Sequence, residues 1–269
     1  CKRLYHYCSL DTLMIILKSK TLRFSDITKS NDRKEVIYIL DLYKDYLKEN
    51  FPCNELPING LDFEFKKAIE EYKLYCFCMS EKGDLLSQWR GYALNGGVSI
   101  GFNKKELEKY FQEYKIIGKT IELNKIEYIS KNSASKVNKV FESWNNEFPI
   151  NNGGELLRLS ANYKDIGFKE EKEWRLKFNS FESDFNNSAL PEVEGYSNKS
   201  CIEFTCYNNG KDIKSYYDIK IDLDLIEEII IGPNTDLSVN TVKAMLQRYN
   251  EKSQGRIETE VKYSNINLK

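Results

Sequence analysis

Glu171 and Glu173 are the residues of this chain whose type and spacing most directly suggest chemistry. They stand two apart in Lys169-Glu170-Glu171-Lys172-Glu173-Trp174-Arg175-Leu176, where an apolar strand begins. Successive strand residues face opposite sides, so the spacing predicts that both carboxylates share one face. Two carboxylates on one face can divide labour, one steadying positive charge and the other exchanging a proton. Far upstream lies the only histidine, His6, in the strand-like run Leu4-Tyr5-His6-Tyr7. Its two ring nitrogens allow one to be fixed by the protein while the other meets a ligand. The same alternation sends Tyr5 and Tyr7 to the face opposite His6, where they read as core.

The elements that must position these residues follow from periodicity. A strand at Arg3 to Tyr7 precedes a helix capped by Ser9, with Leu10, Leu13, Met14 and Leu17 at helical spacing to about Lys20. Thr21 to Ser25 reads as a second strand and Asn31-Asp32 as a turn. Helices are expected over Arg33 to Asn50 and Leu61 to Tyr72, separated by a linker with Pro52 and Pro57. Strands follow at Leu74 to Ser80 and Gly97 to Phe102, with a helix or ordered loop through Leu85 to Tyr92 between them. Then come a helix at Glu106 to Tyr114, a strand at Thr120 to Tyr128 and a helix around Val137 to Trp144. Beyond Trp174 to Phe178, strands are expected at Tyr217 to Asp222, Ile226 to Ile231 and Ile257 to Tyr263, with a helix at Val239 to Tyr249. No repeat and no strict strand-helix alternation is present, so a single mixed α+β domain over 1–269 is expected, with polar insertions near 131–154 and 181–200.

Composition narrows the classes. With 40 Lys+Arg against 41 Asp+Glu, the chain of 269 residues has a net charge of -1, which removes the long-range pull of a basic protein toward nucleic acid or acidic membranes. Seven cysteines without regular spacing point to free buried thiols in a reducing cytoplasm, and paired C-x-x-C knuckles for zinc are lacking. No apolar run reaches the roughly 20 residues needed to span a bilayer, and no secretory leader is read. Asn95-Gly96-Gly97 reads as a hairpin connection, since no nucleotide fingerprint surrounds it.

Several motifs together resemble a known family. Tyr5-His6-Tyr7 with its capped helix, Thr21-Leu22-Arg23-Phe24-Ser25, Asn31-Asp32, Phe77-Cys78-Met79-Ser80-Glu81, Gln88-Trp89-Arg90-Gly91-Tyr92 with Gly97 to Phe102, and Glu171 to Leu176 look like the bacterial family of unknown function DUF2971. That family in turn resembles the ADP-ribosyltransferase superfamily, whose site draws on an Arg or His of the first strand, a Ser or Tyr of a middle strand and a Glu opening a later strand. His6, Ser80 and Glu173 stand here in that order. The opening strand-helix-strand resembles DarT-type DNA-modifying enzymes, and Glu-Lys-Glu resembles the Glu-x-Glu of arginine-modifying toxins, although His stands where that class has Arg.

The resemblance implies an architecture of two small, mostly antiparallel sheets around a central cleft with peripheral helices. It implies NAD as substrate and transfer of ADP-ribose to a macromolecule, nucleic acid slightly favoured over protein, by a bacterial toxin or anti-phage effector with an antitoxin or regulatory partner. Breaking the nicotinamide-ribose bond develops positive charge on the ribose, so Glu173 takes the ribose and Glu171 the acceptor. His6 would bond a ribose hydroxyl, and Ser80 would steady the strand base or the nicotinamide ribose. Arg23, Arg90 and Arg175 are candidates for the pyrophosphate through bidentate geometry. Arg90 is favoured among them, because it sits beside Gly91 and the pair Trp89 and Tyr92, which could wall a pocket.

Each assignment has a plainer rival. A run such as Glu171 to Arg175 is ordinarily a solvated strand edge, a lone histidine a satisfied half-buried residue, and Ser80 a strand-end cap. Two other activities stay open, an NAD glycohydrolase and an RNA phosphotransferase-like enzyme. A third reading is a nucleotide- or partner-binding module without turnover, marked by a buried or blocked Glu173 far from His6.

Overall fold

The computed structural model describes residues 1–29, 33–51, 55–93, 96–113, 115–116, 119–130, 135–144, 153–181, 202–208, 213–249 and 259–266. The opening elements follow their sequence signals closely. Strand β1 (Arg3–Ser9) ends on the N-cap of helix α1 (Leu10–Ser19), where the Ser9 hydroxyl accepts from the Thr12 N–H. Lys20, at φ 55, ends the helix with a bond to the Ile16 carbonyl and turns the chain into β2 (Thr21–Asp26). Helix α2 (Arg33–Asn50) buries Val36, Ile39, Leu40 and Tyr43, the stripe its spacing predicts. Helix α3 (Glu55–Glu71) begins at Glu55 rather than Leu61, since Pro57 falls in the first turn, where its missing N–H is not needed.

Next in order come β3 (Tyr72–Ser80), α4 (Leu86–Tyr92), β4 (Gly97–Asn103) and α5 (Lys104–Gln112). The expected strand over Thr120 to Tyr128 is broken into pieces, preceded by β5 (Lys115–Ile116): β6 (Lys119–Thr120), β7 (Glu122–Lys125) and β8 (Glu127–Ile129). Helices α6 (Ser135–Trp144) and α7 (Gly153–Ser160) lead to β9 (Tyr163–Asp165) and a 3-10 turn over Ile166–Glu171. The chain continues through β10 (Glu173–Phe181), β11 (Ile202–Asn208), β12 (Ile213–Lys220), β13 (Ile226–Ile231), α8 (Val239–Tyr249) and β14 (Glu260–Tyr263). The Asn31-Asp32 turn and most of the polar 181–200 stretch lie outside the described residues. Gly96, at φ 84, joins α4 to β4, so the expected hairpin connection links a helix to a strand.

The architecture is α+β, but the expected pair of small sheets is replaced by one ten-stranded sheet and two two-stranded pieces among the described residues. Its path runs β11-β12-β2-β3-β1-β4-β13-β14, with β10 beside β3 and β7 beside β10. All of its pairings are antiparallel except β13 with β14. The central strand β3 gives one whole edge to β10 and shares the other between two strands. On that second edge β2 pairs at Cys76 and Tyr75, whereas β1 pairs only at Ser80. Between them, along Phe77 to Met79, the sheet splits open.

The two faces of the sheet differ in chemistry because strand residues alternate. One face carries Leu4, Cys8, Phe77, Met79, Ile100, Phe102, Leu176 and Phe178 into the main core, beneath α1, α5 and α8. Registers place Glu228, Gly101, Tyr5, Ser80 and Glu173 in one row across five strands of the other face. Helix α4 covers one part of that face through Trp89 and Ala93 against Tyr7 and Ile230. Helix α7 approaches another part, where Ala161 meets Leu74 and Cys76, and behind it α2, α3, α6 and α7 close a second core around Tyr43 and Phe141. The split between these covers is where a site can form. No helix among the described residues is long and apolar enough to cross a membrane.

Candidate functional site

The split holds a pocket with about 380 Å³ of empty space, its open mouth included. Strand β1 lines it with Tyr5, His6 and Tyr7, β3 with Cys78 and Met79, and α4 with Gln88 and Tyr92; Glu171 and Glu173 close the remaining wall. Tyr5 and Tyr7 therefore stand on the Glu173 face rather than away from the site, since the Tyr5 to Ser80 to Glu173 register sets them there. Tyr7 is also buried against Trp89, and its hydroxyl donates to the Lys82 carbonyl and accepts from the Leu85 N–H. Gly83 lets the loop after β3 lie flat on Tyr5, because a Cβ there would fall 2.5 Å from the ring.

His6 points to the core face, with its ring 4.3 Å from that of Phe77, yet it reaches the pocket through the split. Its Nδ1 lies 2.9 Å from the Cys78 carbonyl, in the unpaired stretch of the β3 edge. A carbonyl only accepts, so Nδ1 carries the hydrogen and Nε2 keeps a lone pair. Burial lowers the ring's pKa and outweighs that carbonyl bond, which favours the neutral form. Cys78 is exposed toward solvent, while crowding by protein and the Glu173 charge push its thiol well above the usual range.

The two carboxylates do converge, but not by strand alternation. Glu171 ends the 3-10 turn, Lys172 adopts a left-handed backbone at φ 45, and Glu173 opens β10. They meet at Lys164 of β9, whose Nζ lies 2.7 Å from Glu171 Oε2 and 3.2 Å from Glu173 Oε2. Glu35 of α2 adds a third carboxylate, 3.5 Å from Lys164 and in contact with Arg175. Arg175 is 2% exposed and donates through Nε to Glu173 Oε1 at 2.6 Å and through Nη2 to Oε2 at 3.1 Å. The Tyr128 hydroxyl accepts from the Glu173 N–H at 2.7 Å and fixes the first residue of the strand.

These surroundings push the pair apart. Burial alone would raise the Glu173 pKa, but the Arg175 and Lys164 charges outweigh it and hold the group at about 2. For Glu171 burial prevails over the Lys164 ammonium, and its pKa rises above the ordinary 4.5. Lys164 is held well above the usual lysine range by Glu173, Glu35 and Glu171 against the cost of burial. Three carboxylates against two cations leave one net negative charge when all are ionised. Such a site can stabilise a cationic group, and it offers one carboxylate that stays ionised beside one that takes a proton more readily.

The remaining sequence candidates divide. Tyr92 is 57% exposed at the pocket rim. Arg90 is exposed two residues before it on α4 and is not among the lining residues. Ser80 is buried, and its hydroxyl donates to the Glu171 carbonyl at 2.6 Å and accepts from the Lys82 N–H, so it positions the Glu171 turn. Arg23 does not line the pocket; its fork is bidentate on Asp218 and its guanidinium stacks 3.6 Å over Tyr216. Arg175 is likewise withheld from a pyrophosphate by its buried pairing.

Sequence reasoning missed Lys164, Glu35, Tyr128 and Gln88. A signal existed for Arg175 as a structural partner, because Glu173, Arg175 and Lys177 alternate with Trp174, Leu176 and Phe178 and so form a charged strand face. Among the described residues no group of three His, Cys, Asp or Glu is arranged to hold a metal ion.

Residues 88–176 match the family model described as "Protein of unknown function (DUF2971)", about a third of the chain. That segment contains Gln88, Tyr92, Lys164, Glu171, Glu173 and Arg175, whereas His6, Glu35 and Cys78 lie upstream of it. No curated protein and no solved structure matches the chain.

Proposed function

We propose that this chain, similar to DUF2971 over residues 88–176, is an NAD-dependent ADP-ribosyltransferase acting on a macromolecule. The observation that carries the reading is the divergence of Glu171 and Glu173 on the wall of a pocket that His6 also lines. The pocket opens where two strands part on one edge of β3. Glu173, kept ionised, faces the ribose, where cleavage of the bond between C1′ and the nicotinamide nitrogen builds positive charge. The electron pair of that bond leaves with nicotinamide. Glu171 takes the acceptor's proton as the acceptor bonds to C1′, and a pKa above the ordinary value suits that exchange. His6, neutral and held by the Cys78 carbonyl, offers Nε2 to a ribose hydroxyl. A role as a bacterial toxin or anti-phage effector with a regulatory partner belongs to this reading.

A second reading is favoured by one observation. Both Glu173 oxygens are engaged by Arg175 and Lys164, and the residue is buried, as in a binding module that holds a nucleotide without turnover. Glu173 shares its pocket with His6, which favours the enzyme. Incubation with labelled NAD and cell extract separates the two. The enzyme reading expects label on a macromolecule, lost in Glu173→Gln and reduced in Glu171→Gln, with both variants checked for folding by circular dichroism. Label appearing only as free ADP-ribose identifies an NAD glycohydrolase, and ADP-ribose carrying a phosphate from RNA, with nicotinamide released, an RNA phosphotransferase-like enzyme. Tight NAD binding with no product supports the binding module.

A further inference from the structure

Gln88 lines the pocket without a partner for its side chain. It is 8% exposed, yet its amide makes no hydrogen bond to any of the described residues. Tyr92, four residues on along α4, shares the helix face of Gln88 and lines the pocket too, whereas Trp89 and Ala93 turn to Tyr7 and Ile230. A nearly buried amide left unpaired costs stability. A fold keeps such a group where a ligand completes its bonds, since binding sites retain features that stability alone would remove.

A primary amide donates through its nitrogen and accepts through its oxygen, so it matches a planar group that presents an acceptor and a donor side by side. The rest of the wall narrows that group. Among the described residues that line the pocket there is no lysine or arginine, whereas Glu171 and Glu173 both line it. The cluster they belong to carries one net negative charge when ionised. Such a wall favours a cationic group and leaves phosphates at the mouth. In oxidised NAD the nicotinamide combines a cationic ring with a carboxamide. Adenine also sets a donor beside an acceptor, but it brings no positive charge to the carboxylates.

We propose that Gln88 is the specificity-determining residue of this site, its amide pairing with the carboxamide of the nicotinamide so that each donates to the other's oxygen. The assignment rests on the ADP-ribosyltransferase reading and adds what the site selects. A carboxylate in place of the carboxamide removes the donor and sets a negative charge beside Glu171 and Glu173, so the pocket refuses the acid form of the dinucleotide. A methyl ketone in that place keeps the acceptor and loses the donor, so it satisfies half of Gln88.

The test compares NAD, its nicotinic acid analogue and its 3-acetylpyridine analogue on the whole chain, reading kcat/KM for release of the pyridine. Wild type is expected to prefer NAD over the acid by at least about tenfold, and Gln88→Met to reduce the preference for NAD over the acetylpyridine analogue by about tenfold. Intrinsic leaving-group reactivity cancels in that comparison of wild type with variant. Because the amide is unpaired without ligand, Gln88→Met should leave the thermal midpoint unchanged or raise it, where a structural role would lower it. Calorimetry then assigns the end of the dinucleotide: Gln88→Met should weaken oxidised nicotinamide mononucleotide about tenfold and leave AMP unaffected. Equal action of the wild type on amide and acid, or a preference indifferent to Gln88→Met, overturns the assignment while the enzyme stands. Gln88-dependent binding of AMP instead of the nicotinamide half overturns it as well. Gln88-dependent binding of the nicotinamide half without any release from NAD fails the enzyme reading and keeps the subsite. Binding of neither half nor of NAD overturns both.

Discussion

Two charge clusters sit at the two ends of the row that crosses the sheet from Glu228 to Glu173. Each contains three carboxylates and two cations: Glu35, Glu171 and Glu173 with Lys164 and Arg175 at one end, Glu227, Glu228 and Glu260 with Arg3 and Lys262 at the other. Composition therefore does not distinguish them. In the β13 cluster Glu227 and Glu228 both fall below the ordinary carboxylate range despite burial, through bonds to Asn103 and Arg3 and to Lys262 and Tyr5. That is the behaviour of a structural ion-pair network. In the β10 cluster the two glutamates move in opposite directions, and they do so on the wall of a pocket. Divergence, not charge density, marks the end of the row where chemistry is expected.

The largest effect should come from neutralising one acid at each end. Glu173→Gln is expected to lower nicotinamide release from NAD by at least about a hundredfold, the scale of losing one charge-stabilising group in a transition state. Glu228→Gln should lower the thermal midpoint and leave that release in place. Equal losses of activity in the two variants, measured on folded protein, would erase the distinction between the clusters.

Lys164 is the cation shared by all three acids of its cluster, whereas Arg175 pairs with Glu173 and Glu35 but not with Glu171 and so separates the two glutamates. Lys164→Met leaves buried carboxylates without their shared partner and should destabilise the fold by about 3–5 kcal/mol in urea unfolding. Combining it with Glu171→Gln should return part of that loss, because the acid with the raised pKa gains most from neutralisation.

Acid sensitivity separates the glutamates by sign. Glu173 falls from 4.5 unfolded to about 2 folded, so its contribution is present above 4.5 and is lost as the pH drops through 2, on the order of 3 kcal/mol. Glu227 and Glu228 are also depressed and lose their contributions in the same direction below 4.5. Glu171 is raised, so its contribution is present below 4.5 and is lost as the pH rises through its folded value. Stability measured from pH 2 to 7 should therefore fall less steeply with acid in Glu228→Gln and more steeply in Glu171→Gln than in the wild type.

A smaller effect should follow from Tyr128→Phe. It removes the acceptor of the Glu173 N–H and is expected to cost about 1 kcal/mol, with the row otherwise intact.

Much of the fold could be read from local pattern, because apolar periodicity is a local property. The capped α1, the α2 stripe, β3, β4 and β13 all stand where their spacing puts them. The sheet's unity was hidden, since the pairing of β3 with three strands is a matter of long-range register. At the site, the segment around Glu171 and Glu173 was recognisable, yet the reason for their convergence was not. Strand alternation cannot foresee the left-handed Lys172 that ends the turn, nor Lys164 on the three-residue strand β9, which is too short to show a period. Glu35 meets Arg175 across 140 residues of sequence, a contact that no motif encodes.

The most direct test of the diverging pair is a carbon-13 titration of the glutamate side-chain carboxyls, with Glu171 and Glu173 assigned by Glu171→Gln and Glu173→Gln. The structure predicts that Glu173 stays ionised down to about 2 while Glu171 titrates above 4.5. Midpoints lying together below 4.5, as expected of Glu227 and Glu228, would contradict it and make the β10 cluster a second structural network.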